Sequence, residues 1–80
     1  MRVMMIGNLG GQLSVASKIA FDRGAKVTHF DQIEQALSAL RAGRGADLIM
    51  ADYNLDLSSL TSALDAERIA VPVVACGVEA

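Results

Sequence analysis

Asp52 is the residue of this sequence with the clearest chemical potential. It follows the apolar run Leu48–Ala51 and precedes a polar turn that contains Asn54. Open α/β sheets hold their ligands at the carboxyl ends of their parallel strands, and this run has the character of such a strand. A carboxylate in that position can accept a transferred group or bind a metal ion. Asp52 is therefore the first candidate functional residue.

A second candidate site is the glycine-containing stretch Gly7–Gly11, which lies between an apolar run and a helical pattern. Backbone amides at the start of a helix can bind an anion. The glycine spacing departs from the dinucleotide-binding fingerprint, and no Lys-Ser/Thr pair follows as it does in a P-loop. We interpret the stretch as a strand-to-helix turn and keep anion or nucleotide binding as an alternative.

Isolated reactive side chains give no further site. His29 has no second histidine or cysteine near it, so we expect a surface residue rather than a metal ligand. Cys76 is the only cysteine, which excludes an internal disulfide and fits a reducing compartment. Because Cys76 lies in an apolar run, we expect a buried and unreactive thiol.

Composition favours a small cytoplasmic domain. The chain has 80 residues, 52% of them hydrophobic, and a net charge of −2. No export signal and no apolar stretch of membrane-spanning length is visible, so we expect no membrane contact. Direct nucleic-acid binding is not expected either, because the basic residues form no stripe. They are Arg2, Lys18, Arg23, Lys26, Arg41, Arg44 and Arg68.

Four short apolar runs alternate with three helical patterns, which predicts the order β-α-β-α-β-α-β. Right-handed crossovers then imply an α/β fold with a doubly wound, mostly parallel sheet. Gly24 is a plausible end signal of the first helix, Asp31 and Glu34 are a capping pair for the second, and Ser58 or Ser59 can cap the third. The predicted strands are Val3–Ile6, Val27–Phe30, Leu48–Ala51 and Val71–Cys76.

The chain finishes just after its fourth predicted strand, at Gly77–Ala80. A sheet of four such strands has an unpaired edge and incompletely covered faces, and exposed apolar edges favour association. We therefore expect a fragment of a longer chain, with self-association through the sheet edge or helix faces as a possible consequence.

Several segments together resemble a known family. Asp52, the turn Tyr53–Leu57 and the run Val71–Val74 resemble the first two thirds of a response-regulator receiver domain. The sequences of further segments are similar to the amino-terminal domain of FlbD-type regulators, which are flagellar sigma-54-dependent transcriptional activators. These segments are Gly11–Ala16, Gly24–Val27, Leu40–Gly43, Gly45–Leu48 and Val71–Gly77.

The resemblance implies a flavodoxin-like or receiver-like sheet with strand order 2-1-3-4, truncated before the fifth strand. Residues 1–80 would then be the amino-terminal, incomplete portion of a receiver-like regulatory domain. In two-component systems and phosphorelays, a receiver accepts a phosphoryl group on the aspartate that corresponds to Asp52.

The same resemblance shows that the receiver pocket is degenerate. Its pair of acidic residues falls on Gly7 and Asn8, and its hydroxyl residue falls on Gly77. Asp52 is retained, as is Asn54, where receivers offer a backbone carbonyl to the metal. Phosphoryl transfer depends on Mg²⁺ and on neutralising charges. We therefore expect no catalytic residue, no metal site and no cofactor, with Asp52 an unused acceptor that binds loop amides instead.

The resulting hypothesis is a non-enzymatic input domain of a sigma-54-dependent activator of flagellar genes. The resemblance implies an ATPase module and a helix-turn-helix module outside this chain. It also implies control by contact with a flagellar-assembly protein of the FliX type, rather than by phosphorylation. Two alternatives stay open: a phosphorylatable receiver with Asp52 as acceptor, and a small anion- or nucleotide-binding module that uses Gly7–Gly11.

Overall fold

The computed structural model describes residues 1–77, and in them strands and helices alternate as the hydrophobic pattern predicts. All strand pairs are parallel, and the sheet has the order β2-β1-β3-β4. The predicted doubly wound sheet with strand order 2-1-3-4 is confirmed. The elements are β1 (Arg2–Ile6), α1 (Leu13–Asp22), β2 (Lys26–Phe30), α2 (Ile33–Arg41), β3 (Leu48–Asp52), α3 (Leu57–Ala66) and β4 (Val73–Cys76), with a 3₁₀ turn at Leu9–Gly11.

The two faces of β1 build two apolar clusters, because successive side chains of a strand point to opposite sides of the sheet. Val3 and Met5 pack beneath α1 together with Leu9 of the 3₁₀ turn. Met4 and Ile6 pack on the other side, beneath α2 and α3. A strand that is covered on both faces needs an uninterrupted apolar sequence, which β1 has from Val3 to Ile6.

The fourth strand begins later than its apolar sequence suggests. We predicted Val71–Cys76, but the strand runs from Val73 to Cys76. Pro72 has no N–H with which to join the ladder, although its carbonyl accepts the Ile49 N–H at 2.9 Å. The ladder therefore starts only after the proline.

The two predicted helix caps were each assigned to the wrong side chain. Helix α3 is capped by Asp56, whose Oδ1 accepts the Ser59 N–H at 3.1 Å and whose Oδ2 accepts the Ser59 hydroxyl at 2.8 Å. Ser58 and Ser59 themselves lie inside the helix, which begins at Leu57. The serines were plausible caps by residue type, but the cap is the residue immediately before the first helical turn.

At the start of α2, the side chain that folds back to bind the capping amides is that of Gln35 rather than that of Glu34. Its Oε1 accepts the N–H groups of Asp31 and Gln32 at 3.1 and 3.2 Å. The first helix ends as expected, since Gly24 follows α1 with φ +79°. A left-handed residue just after the last turn is the common way to close a helix.

The Asp56 cap makes a prediction about acid stability. Hydrogen bonds from the Ser59 hydroxyl and amide lower the pKa of Asp56, so the folded state favours the charged carboxylate. This stabilisation is present above the ordinary carboxyl pKa and is lost as pH falls through the lowered, folded-state pKa. We expect Asp56→Ala to lower the melting temperature at neutral pH. Asp56→Ser should retain most of the stabilisation that the cap provides.

Because serine caps without titrating, Asp56→Ser should lose less stability on acidification than the unmodified protein. Thermal unfolding followed by circular dichroism, from neutral pH to about pH 2, measures this difference. If the melting temperatures of the two proteins fell equally on acidification, the Asp56 charge would contribute nothing to the cap.

Within residues 1–77, none of the helices combines the length and the apolar character that crossing a bilayer requires.

Candidate functional site

The carboxyl edge of the sheet brings the predicted site residues together. Gly7 and Asn8 follow β1, Asp52 ends β3, and Gly77 follows β4. The strands lie in register here, since Ile6 aligns with Ala51 and Asp52 aligns with Cys76. The structure therefore brings these four residues to the same edge of the sheet.

Asp52 is a buried carboxylate that organises its own loop. Only 5% of the residue is exposed. Its Oδ1 accepts the N–H of Asn54 at 2.9 Å, while its carbonyl accepts the N–H of Leu55 at 3.0 Å. A side-chain acceptor that binds the amide two residues later forms an Asx turn. Asp52 thus binds a loop amide, as its structural interpretation requires.

Gly7 lies against the side chain of Asp52 in a conformation that suits glycine. Its φ is +80°, and a Cβ placed on it would lie 2.9 Å from the Asp52 Cβ and 3.3 Å from the Leu55 Cδ1. Both the left-handed backbone and the lack of space disfavour any side chain. In this backbone, the position that corresponds to a receiver acid has no room for an acid.

The backbone of Gly7 is held in place by the edge strand β2. Its N–H donates to the Phe30 carbonyl at 2.8 Å, and its carbonyl lies 2.9 Å from the Nε2 of His29. Since a carbonyl can only accept, the His29 Nε2–H must be the donor. The sequence suggested only a surface histidine. His29 is exposed, but it also fixes the loop that covers Asp52, a role that follows from strand register and is not visible as a motif.

Asn8 contributes backbone geometry to the site. Its carbonyl accepts the N–H groups of Gly11 at 3.0 Å and of Leu13 at 3.1 Å, and the Gln12 N–H donates to the Leu9 carbonyl at 3.2 Å. Three amides that lead into α1, those of Gly11, Gln12 and Leu13, are therefore used within the turn. This arrangement weighs against anion binding at Gly7–Gly11, which would need those amides to point at a ligand.

The residues at this edge do not fit the Mg²⁺ ion that the receiver fold implies. Gly7 and Asn8 bring no charge, and the two carboxylate oxygens of Asp56 are bound to Ser59. Over residues 1–77, no three His, Cys, Asp or Glu side chains are grouped so that they could hold a metal. Mg²⁺ prefers several hard oxygen ligands, usually including carboxylates.

The pKa of the Cys76 thiol depends in part on the charge of Asp52. Cys76 is partly buried and aligned with Asp52 across the β3–β4 pair. Burial raises the pKa of the Cys76 thiol, and the negative charge of Asp52 raises this pKa further. A thiol with a raised pKa reacts slowly at neutral pH because the thiolate is the nucleophile.

We expect Asp52→Asn to accelerate alkylation of Cys76 by iodoacetamide at neutral pH, because it removes the charge that raises the thiol pKa. Asp47→Asn, at an exposed site on another part of the fold, is the matched control and should leave the rate unchanged. Rates at a pH where the thiol is fully ionised should converge. A difference that persists there would mean that Asp52→Asn acts by opening the structure.

The chain is closely similar to one known regulator. All 80 residues align at 60% identity with the transcriptional regulatory protein FlbD of Caulobacter vibrioides, and they span 18% of that protein's length. No family model matches the chain, and no solved structure matches it significantly. The resemblance to FlbD-type regulators expected from the segments is thereby confirmed. Over its whole length, the chain is related to the amino-terminal region of FlbD, and its parallel sheet is consistent with an FlbD-like receiver domain.

Proposed function

We propose that this chain is a non-enzymatic, receiver-like input domain of a cytoplasmic transcriptional regulator. Its high identity with a transcriptional regulatory protein, extending over all 80 residues, supports that role. The finer assignment is to a sigma-54-dependent activator of flagellar genes, with the ATPase and DNA-binding modules outside this chain. This assignment rests on the resemblance to FlbD-type regulators.

The proposed mechanism of control is protein contact rather than phosphorylation of Asp52. The observation that carries it is the close approach of Gly7 to Asp52, a residue that is only 5% exposed. An attacking carboxylate must reach the phosphorus in line, and the transferred charge must be neutralised by a metal or cation. Burial opposes the first requirement, and the absence of acids at positions 7 and 8 opposes Mg²⁺ binding.

The surface of α1 is the best candidate for the controlling contact. Three large apolar residues of this one helix are at least half exposed: Val15 at 54%, Ile19 at 50% and Phe21 at 74%. The exposed positions of α3 are instead mostly polar, including Ser58, Ser62 and Asp65. Exposed apolar side chains at one helix favour a protein partner. The proposed partner is a flagellar-assembly protein of the FliX type.

Incubation with acetyl phosphate and Mg²⁺ tests the mechanism. We expect no stoichiometric, acid-stable and base-labile phosphate on the protein, as measured by intact-mass spectrometry. A receiver with its acid pair intact is the positive control, and Asp52→Asn is the negative control. Stoichiometric modification that disappears in Asp52→Asn would replace this mechanism with phosphorylation.

That second mechanism, a phosphorylatable receiver, is favoured by one feature of the structure. Asp52 keeps the acceptor position at the carboxyl end of β3, and Asn54 follows it in the loop. The same phosphodonor experiment decides between the two mechanisms, while both retain the role in transcription control.

A further inference from the structure

A cationic cleft lies at the edge of the sheet opposite to Asp52. It opens beside the first residues of β1 and β2, on the side of the sheet that α2 covers, and has a volume of about 260 Å³. The loop from α2 to β3 forms its wall. The lining residues are Arg2, Met4, Lys26, Thr28, Gly43, Arg44 and Gly45.

Strand register assembles the floor and one rim of this cationic cleft. Arg2 is aligned with Lys26, and Met4 is aligned with Thr28, in the parallel β1–β2 pair. Aligned residues, and residues two apart on one strand, share a face of the sheet. Two cations therefore stand at the outer end of the cleft, and a thioether and a hydroxyl lie further in. Arg44 adds a third cation from the wall.

The guanidinium of Arg2 lies against the loop wall of the cationic cleft, with its side chain 57% exposed. It lies so close to the backbone of Gly45 that a Cβ there would be 2.5 Å from its Nη1 and 2.8 Å from its Nη2. Asp47 Oδ2 accepts the Arg2 backbone N–H at 2.7 Å and lies 3.9 Å from its Nε. The planar guanidinium carries its N–H donors in a fixed fork, so it loses less entropy per hydrogen bond when it binds an oxyanion.

The charge of the cationic cleft is not balanced by the protein. Arg2 is paired with one carboxylate, that of Asp47. Within residues 1–77, neither Lys26 nor Arg44 forms an ion pair. Three cations against one carboxylate leave an excess of about two positive charges, which matches the roughly −1.5 to −2 of a phosphate monoester better than the −1 of one carboxylate.

The size of the cationic cleft limits what it can hold. Sites for drug-sized ligands begin at roughly 300 Å³, and this cleft of about 260 Å³ is smaller and open at the sheet edge. It therefore suits one phosphate group with a small substituent. Met4, which is only 1% exposed, closes the apolar floor of the cationic cleft.

We propose that the cationic cleft binds the phosphate group of a small phosphorylated metabolite. Arg2 presents two parallel N–H donors to the phosphate oxygens, as guanidinium groups do in other phosphate sites. Lys26 and Arg44 supply further positive charge, and the Thr28 hydroxyl can donate a hydrogen bond. The site lies at the opposite edge from Asp52 and on the face of the sheet away from α1, so it is separate from the surface proposed for the controlling contact.

Titration of the ¹⁵N-labelled protein with inorganic phosphate and with glycerol 3-phosphate, at constant ionic strength, tests this site by NMR. We expect saturable shifts of the amides of Arg2, Lys26, Thr28, Arg44 and Gly45. Lys26→Gln and Arg44→Gln should each weaken binding about tenfold, as the loss of one charge-assisted hydrogen bond implies. Lys26→Arg, which keeps the charge, should retain binding.

Lys18→Gln is the matched control, because it removes one exposed positive charge from α1, on the other side of the sheet. It should leave both affinities unchanged. The dispersion of the same spectra verifies that each variant is folded. Shifts confined to Gly7–Gly11, or equal affinities in Lys26→Gln, Arg44→Gln and Lys18→Gln, would overturn the proposed site.

Discussion

Gly7→Ala is expected to lower the free energy of unfolding by roughly 2–4 kcal/mol, the combined cost of a left-handed alanine and of overpacking. The new Cβ would lie 2.9 Å from the Cβ of Asp52, with the backbone still at φ +80°. Neither atom belongs to a flexible side-chain end that can swing away. Since a domain of this size is stabilised by only about 4–12 kcal/mol, this loss is a large fraction.

Gly24→Ala separates the two causes of that loss. Gly24 has nearly the same φ, +79°, but a Cβ there meets nothing within 4 Å. Only the backbone cost of about 1–2 kcal/mol should remain. Urea unfolding of the two variants, followed by circular dichroism, gives the comparison. Equal losses would show that the close approach of Gly7 to Asp52 has no energetic weight.

Gly7→Asp extends the same argument to the receiver chemistry. It places an acid at a position where receivers have one, but the backbone here offers no space for it, and a second carboxylate would stand beside that of Asp52. We expect a loss at least as large as that of Gly7→Ala, with no gain in Mg²⁺ affinity. Restoring one acid therefore does not restore the receiver pocket, because the loop backbone at position 7 has a conformation and a spacing that only glycine fits.

Asp52→Ala is expected to lower the free energy of unfolding by about 1–3 kcal/mol, since it leaves the partly buried N–H of Asn54 without its acceptor. Asp52→Asn retains a side-chain oxygen at the same place and should lose only about 1 kcal/mol. The distinction is between an acceptor and a charge. Urea unfolding at neutral pH measures both values.

Asp22→Ala provides a matched control for Asp52→Ala. Asp22 is an exposed carboxylate paired with Lys18 at 2.9 Å, and such surface pairs contribute little. If Asp52→Ala were no more destabilising than Asp22→Ala, the structural role of Asp52 would be refuted. In the longer transcriptional regulator that we propose, Asp52→Asn should preserve transcriptional control, because the proposed contact mechanism does not use a phosphorylated aspartate.

Much of the architecture could be predicted from local patterns along the chain. Apolar runs of strand length and helical periodicity of about 3.6 residues are properties of neighbouring residues, and crossover handedness converts their alternation into a doubly wound sheet. The same reasoning placed Asp52 at a strand end. The lack of acids at Gly7 and Asn8 is likewise visible in the sequence, once the receiver resemblance supplies the positions to compare.

Contacts between segments that are distant in sequence depended on the tertiary structure. The approach of Gly7 to Asp52, the bond from His29 to the Gly7 carbonyl and the alignment of Arg2 with Lys26 all follow from strand register. Hydrophobic periodicity reports which face of an element is buried. It does not report which residue of a neighbouring strand stands beside it, because many registers bury the same face. The burial of Asp52 beneath Gly7 and the assembly of the cationic cleft therefore depend on how strands and loops pack in three dimensions.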